Sequence, residues 1–272
     1  MEAFLLLKPD CLRLGLTHDV ERAVARERLR IGCRHPVSLT PADVRRLWSE
    51  YTSDGNVLTC AFLDHYLCSG PSEVLVLHGR DAFAAARRAK RAVRARHADG
   101  PFANVVHAAE QPEELTRQGA HLAPCTFSHD TARSHDPARS HDPAPSHEPA
   151  RRRPSGFDFR ATVDVPALVE SLWPLSFPVA PPPFRLDSST PEAALHLGPD
   201  PAHTLDSAVT AVWRALPGIP VADAVSLTMY AARVGGYPIA VGARDAVEKS
   251  HQVMRDQGMS ACGVGPYTLP GC

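Results

Sequence analysis

Hydrophobic positions along the first part of the chain fall into short continuous runs separated by stretches at helical spacing. Phe4, Leu5, Leu6 and Leu7 form an apolar run that Pro9 brings to an end, which predicts a buried first strand with Lys8 at its rim. Residues 17 to 28 carry Val20, Ala23 and Val24 at helical spacing behind the possible cap Thr17, and residues 31 to 39 then read as a second strand. Thr40-Pro41-Ala42-Asp43 is a helix start, with proline at the first helical position and an acid in the first turn. That helix is predicted to run through Val44, Leu47 and Trp48 to Tyr51. A second helical stretch follows over 56 to 67, closed by Ser69-Gly70-Pro71.

Residues 73 to 78 read as a third strand, and 81 to 97 as an Ala/Arg-rich helix on which Arg87, Arg91 and Arg94 share one face. After the turn at Gly100-Pro101, the run Asn104-Val105-Val106-His107 delivers one imidazole to a loop edge ahead of the helix opened by Pro112. The order β-α-β-α-α-β-α-β-α, taken as two split βαβ units, predicts an α+β fold: a ferredoxin-like βαββαβ domain with an antiparallel four-stranded sheet.

The second part is patterned differently. From Ser128 the sequence repeats in sixes, with His-Asp or His-Glu pairs at 129, 135, 141 and 147 and Pro and Ala between them. Such a hexad buries no core and is expected to be an extended linker over 126 to 156, able at most to bind a transition metal weakly. Residues 157 to 202 offer an amphipathic stretch at 163 to 173 and then a run of prolines that forbids long regular structure. From 203 to 272 the pattern is orderly again. It predicts helices over 208 to 216, 221 to 234 and 243 to 257, and strands over 237 to 241 and 260 to 264, in a small α/β domain.

Composition changes this picture little. The 272 residues suffice for two domains, and a net charge of −1 argues against a general nucleic-acid binder. The seven cysteines are scattered without a CxxC pair, so neither a disulfide framework nor a zinc site is expected and a reducing cytoplasm fits best. No run approaches the roughly 18 apolar residues of a membrane span. A lone histidine is more often a structural residue than a nucleophile. Here, however, a lysine, a tyrosine, arginines and a histidine gather near strand and helix ends, which suggests phosphate chemistry.

At these residues the chain resembles the nucleoside diphosphate kinases, over about residues 3 to 122. Lys8-Pro9-Asp10, Gly15-Leu16, Tyr51, Ser69-Gly70-Pro71, Arg87 and Asn104-Val105-Val106-His107 match the family's motifs in order. The resemblance implies that His107 takes the γ-phosphate of ATP or another nucleoside triphosphate as a phosphohistidine and hands it to a diphosphate. It also implies that Lys8 neutralises the transferred group, Arg87 clamps the distal phosphates, Tyr51 holds the histidine or its phosphoryl oxygen, and Asn104 contacts the sugar. Mg²⁺ would bridge the phosphates, with no metal site in the protein itself, and the family's usual hexamers or tetramers make a homo-oligomer an expectation.

The departures are specific. The loop between Arg87 and His107 is shorter than the family's and lacks its second arginine, for which Arg91, Arg94 or Arg96 is a replacement. The base-stacking aromatic falls at Thr59, leaving Phe62 as the nearest aromatic. The family's Gly-Ser-Asp is Ala108-Ala109-Glu110, and the glutamate that orients the imidazole falls at Gln118, with Glu114 as a substitute.

Residues 203 to 264 resemble the ClpS-type adaptor fold and the related C-terminal domain of the ribosomal stalk protein, through His203-Thr204, Ala224, Gly235, the run from Gly242 to Glu248, and Gly258. This implies either a small protein-binding module or a purely structural C-terminal domain. The adaptor's acidic pair has no counterpart near Asp200, and its pocket histidine falls at Ala232, so recognition of N-terminal degrons is not carried over. The leading expectation is a phosphotransferase; the alternative is a non-catalytic nucleotide sensor acting through its C-terminal domain.

Overall fold

A computed structural model describes residues 2–52, 55–100, 102–123, 157–173, 180–188 and 190–267. The His-Asp repeats, with the linker and metal readings attached to them, lie outside these residues. Two compact units emerge. One is drawn from Met1–Ser49, Leu63–Ala98 and Phe102–His147, the other from Glu50–Phe62, Asp99–Pro101 and Glu148–Cys272.

The first unit is built on β1 (Glu2–Leu7), β2 (Arg30–Val37), β3 (Ser72–His78) and β4 (Val106–His107), in the order β2-β3-β1-β4. Every pairing is antiparallel, with Leu5 opposite Leu75 and Leu6 opposite His107. With α2 (Thr17–Arg26) and α5 (Ala82–His97) as the crossover helices, this is the expected ferredoxin-like sheet. Residues 3 to 7 of β1 are all buried, as a central strand covered on both faces requires, which is why β1 reads as an unbroken apolar run. On one face Leu5, Leu7, Leu75 and Leu77 pack against Val20 and Val24 of α2 and against Ala85, Ala86, Ala89 and Val93 of α5. The alanines keep α5 close to the sheet, so a polar side chain on that face is carried to the ends of the central strands.

The remaining helices of this part of the chain are α1 (Pro9–Arg13), α3 (Pro41–Leu47), α4 (Val57–Leu67) and α6 (Pro112–Leu122). A short helix directly after Lys8 was not expected from the sequence; Pro9 at its first position supplies the φ that a helix start needs. α3 is opened by a Thr40–Asp43 capping box and ends at Leu47 rather than continuing to Tyr51. At its end, carbonyls that a further turn would have engaged are taken by side chains of α6. Arg117 Nη1 donates to Arg46 O at 2.7 Å and Gln118 Nε2 to Leu47 O at 2.6 Å.

The second unit contains a mixed sheet of β5 (Phe184–Arg185), β6 (Ala193–Leu197), β7 (Tyr237–Gly242) and β8 (Cys262–Pro266) in the order β5-β7-β6-β8. β5 runs parallel to β7, and β6 is antiparallel to both β7 and β8. Its helices are α7 (Val165–Leu172), α8 (Leu205–Ala215), α9 (Val221–Val234) and α10 (Arg244–Asp256). The sheet takes in residues ahead of 203, because β6 lies between β7 and β8. This proline-bordered strand is only five residues long, too short for its pattern to stand out. Asp200 ties the segment after β6 to the one before β8, accepting from Ser260 N at 2.7 Å and Ser260 Oγ at 2.8 Å. Buried Asp206 accepts from Leu58 N at 2.7 Å, Thr59 N at 2.9 Å and Thr59 Oγ1 at 2.6 Å, so its carboxylate caps the first turn of α4. Burial raises the Asp206 carboxyl, while the bonds from Thr59 and Leu58 act against that rise.

Candidate active site

β4 is only two residues long, and what precedes it fixes where His107 points. Val105 has φ +56°, a conformation that a β-branched residue rarely adopts. Val106 N donates to Asn104 O at 2.7 Å across it, closing a three-residue turn, and Lys8 N holds the turn by donating to Val105 O at 2.9 Å. Two buried groups hold the same turn from within the unit. Tyr66 donates its hydroxyl proton to Asp10 Oδ1 at 2.7 Å and accepts from Asn104 N and Val105 N, each at 3.2 Å. Asp10 Oδ2 also accepts from Val105 N at 3.2 Å. Burial, and then the Asp10 charge, push the Tyr66 phenol well above its ordinary range, so it remains a donor to that carboxylate.

Lys8 is buried where β1 ends. Its ammonium donates to Asn104 Oδ1 at 2.5 Å and lies 5.1 Å from the centre of the Tyr66 ring. Burial pushes its pKa well down, Arg94 adds to the fall, and Asp10 opposes it. Arg94 reaches from α5 to donate through Nε to Val106 O at 2.8 Å.

His107 itself is 7% exposed, with the edge of Trp48 at a centroid distance of 5.2 Å. Its Nε2 lies 2.7 Å from Gln118 Oε1. The amide of Gln118 is oriented by its other end, because Nε2 donates to Leu47 O at 2.6 Å and to Glu114 Oε1 at 2.9 Å. With both amide protons committed to acceptors, the amide oxygen faces the ring and His107 Nε2 must be the donor. The imidazole is therefore the Nε2–H tautomer, and the lone pair lies on Nδ1. Burial, then the positive charge of Lys8, holds the imidazole well below its ordinary pKa, with Gln118 opposing and Lys90 and Arg94 adding to the fall. A neutral ring with a defined lone pair is the form a nucleophile needs.

Glu110 organises the cations beyond the histidine. Its backbone N–H donates to Glu114 Oε2 at 2.6 Å, while its own carboxylate receives Arg87 Nε at 2.8 Å and the buried ammonium of Lys90. Lys90 also donates to Ala108 O at 3.1 Å. Burial lowers the Lys90 pKa and Glu110 acts against that fall. Burial alone would raise the Glu110 carboxyl, but the hydrogen bond and charge of Lys90, with those of Arg87, hold it below its usual range.

Of the residues singled out from sequence, Lys8, Arg87, Arg94, Asn104 and His107 belong to the first unit, and Lys8 and Asn104 touch. Tyr51 and Phe62 belong to the second unit, where Phe62 is fully buried and presents no ring face to a base. The phenol that enters the first unit's polar network is Tyr66. Arg91 lies further out than Arg87 and Lys90, 4.0 Å from Glu110 with its side chain 61% exposed. Sequence reasoning missed Tyr66, Asp10 as a positioning group, and Lys90. Lys90 left a signal, since it is the one charged residue on the alanine face of α5, directly after Ala89 and three residues before Val93. Among the described residues no three His, Cys, Asp or Glu side chains cluster as a metal cage.

No protein-family model matches the chain. Over 128 residues it is 29% identical to a nucleoside diphosphate kinase of Ignicoccus hospitalis, an alignment that takes in 42% of this chain and 83% of that protein. Among solved structures it is similar to the nucleoside diphosphate kinase of Aquifex aeolicus, with a TM-score of 0.38 at 18% identity, covering 44% of this chain and 92% of that one. It is also similar to an NDP kinase from Pyrobaculum aerophilum, with a TM-score of 0.33 at 19% identity over 43% and 92% of the two chains. A halophilic nucleoside diphosphate kinase from Halobacterium salinarum, solved in complex with CDP, has a TM-score of 0.37 at 18% identity over 45% and 86%. Those structural scores are too low to argue from. The sequence alignment and the βαββαβ sheet agree: the N-terminal part of this chain is nucleoside-diphosphate-kinase-like.

Proposed function

We propose that the N-terminal unit is a phosphotransferase that moves the γ-phosphoryl group of a nucleoside triphosphate to a nucleoside diphosphate through His107. The observation that carries this reading is the contact of His107 Nε2 with the oriented amide oxygen of Gln118, which assigns the Nε2–H tautomer. With Nε2–H donated to Gln118 Oε1 at 2.7 Å, the lone pair on Nδ1 attacks the γ-phosphorus. The Nδ1–P bond forms as the bond from the γ-phosphorus to its bridging oxygen breaks, and the electron pair leaves with the diphosphate. A β-phosphate oxygen of the incoming diphosphate then attacks the phosphohistidine, and the imidazole recovers its lone pair. Glu114, whose Oε1 lies 3.5 Å from Nε2, offsets the positive charge the ring gains in the phosphorylated state. Lys8, Arg87 and Arg94 stabilise the charge spread over the transferred oxygens. Asn104 orients Lys8 through the contact at 2.5 Å, and this supports a role for both at the same phosphate. Mg²⁺ enters with the nucleotide as part of the substrate and neutralises its phosphates.

One observation favours a second reading, a non-catalytic nucleotide sensor whose C-terminal unit binds a protein partner. The Glu110 carboxylate already holds Arg87 and Lys90, two cations a phosphate chain would use. Formation of GTP from ATP and GDP separates the two. The first reading expects turnover that is lost in His107→Asn; the second expects nucleotide binding by calorimetry with no turnover in either protein. We place the protein in the cytoplasm, as a homo-oligomer acting on soluble nucleotides; among the described residues no helix is long and apolar enough to cross a membrane.

A further inference from the structure

Lys90 is 3% exposed, on a helix face otherwise made of alanine and valine. A buried ammonium is tolerated only with a counter-ion, and Glu110 supplies it. Yet Glu110 is itself a poor structural anchor, because its side chain is 45% exposed while the lysine it neutralises is not. One carboxylate also serves more than one cation. It receives Arg87 Nε and Lys90 Nζ, and Arg91 stands at 4.0 Å. The two terminal nitrogens of Arg87 make no hydrogen bond among the described residues. The cations at 87, 90 and 94 follow one another at i, i+3 and i+7 along α5, beside the segment that carries His107. One singly charged, half-exposed carboxylate inside such a group is placed as a bound anion would be.

We propose that Glu110 is a built-in stand-in for a substrate phosphate, and that Arg87 and Lys90 form a phosphate subsite opened when an incoming polyphosphate displaces it. The inference rests on the nucleotide-binding reading above and adds to it a residue, Lys90, and a gate, Glu110. Exchange of one anion for another leaves Lys90 paired throughout, and the more highly charged phosphate chain makes a stronger partner for the group than a single carboxylate. Glu110 swings to solvent, where its charge is readily hydrated. Lys90, on α5, then serves as the second phosphate-binding cation in place of one that the short loop ahead of His107 does not carry.

The test is calorimetry of the full chain with two probes, ADP and inorganic tripolyphosphate, for wild type, Glu110→Gln and Lys90→Met. The proposal expects Glu110→Gln to bind both probes about fivefold more tightly, and Lys90→Met to bind them about tenfold more weakly. A Glu110→Gln protein that is folded by thermal melting and binds no more tightly than wild type overturns it. If Glu110→Gln does not fold, Glu110→Asp replaces it; the shortened side chain spans Arg87 and Lys90 poorly, so unchanged or weaker binding is again contrary. Wild type that binds ADP without a gain in the variant rejects the gate and keeps the nucleotide reading. Binding of tripolyphosphate but not ADP by wild type rejects that reading and leaves the gate to be judged on tripolyphosphate. Binding that appears only in Glu110→Gln supports the gate, and no binding in any variant rejects both.

Discussion

In the second unit, Thr210 Oγ1 donates to Asp206 O and Thr228 Oγ1 to Ala224 O, each four residues back along its own helix. Ser207 and Thr204 likewise satisfy one another within a single capping box. In the first unit the buried polar groups reach much further. Lys8 meets Asn104 across 96 residues, Val105 meets Asp10 across 95, and Gln118 meets the Leu47 carbonyl across 71. A hydroxyl that bonds its own helix is satisfied wherever the helix forms and asks nothing of the tertiary structure. Long-range buried pairs hold only if several elements close together, and every member left unpaired is costly. The first arrangement is what a core tolerates, whereas the second is what a site requires. Among the described residues of the second unit, Asp206, which reaches Leu58 and Thr59, is a buried exception that holds a segment drawn from the N-terminal part of the chain, and the more exposed Asp200 reaches Ser260 across 60 residues.

The sharpest way to break this contrast is at His107. His107→Asn is expected to lower phosphoryl transfer by about 10³-fold or more while melting stays near wild type, read by GTP formation from ATP and GDP. Asp10→Ala comes next, since it removes the carboxylate that accepts the Tyr66 hydroxyl proton and one of the two acceptors of Val105 N. A loss of about 3 kcal/mol in urea unfolding is expected, and a loss within measurement error would mean that the network is not holding the turn. Gln118→Leu removes the tautomer lock but keeps the volume, so transfer should fall on the order of 10²-fold, in kcat rather than in KM.

A pH series sharpens the same point. His107 is held below its unfolded pKa, so the unfolded chain binds the proton first as pH falls. Its contribution is complete above the unfolded value and is lost as pH drops below about 6.5, with a slope of up to about 1.4 kcal/mol per pH unit. Melts of wild type between pH 5 and 7.5 should show that slope, and His107→Asn should flatten it. Thr228→Val in the second unit is expected to have the smallest effect, at most about 1 kcal/mol with unchanged transfer. A larger loss there would erase the distinction between the units.

Much of the first unit is legible in the sequence because its elements are long and regular. The apolar run at Leu5 to Leu7, the Thr40–Asp43 box and the Ala/Arg pattern of α5 each point one way. The motifs carry Lys8, Arg87, Asn104 and His107 to the same unit for the same reason. Other parts were hidden by geometry. The end of α3 depends on Gln118 and Arg117, side chains some 70 residues away that no local pattern anticipates. Tyr66 sits in a helix apolar on nearly every side, so nothing in its spacing separates its phenol from a core ring. Lys90 is hidden among the arginines of α5, although the alanines around it mark the buried face. In the second unit β5 is two residues long and β6 five, below the length at which alternation is informative.

The central claim is that Gln118 keeps the proton on Nε2 of His107 and so directs phosphorylation to Nδ1. It is tested by incubating the full chain with ATP and Mg²⁺, mapping the acid-labile phosphate to its residue, and assigning the ring nitrogen by phosphorus NMR. The account predicts a single phosphohistidine at His107, substituted on Nδ1 and discharged by added nucleoside diphosphate. Phosphate on Nε2, or none at His107 in a chain that binds the nucleotide, would contradict it.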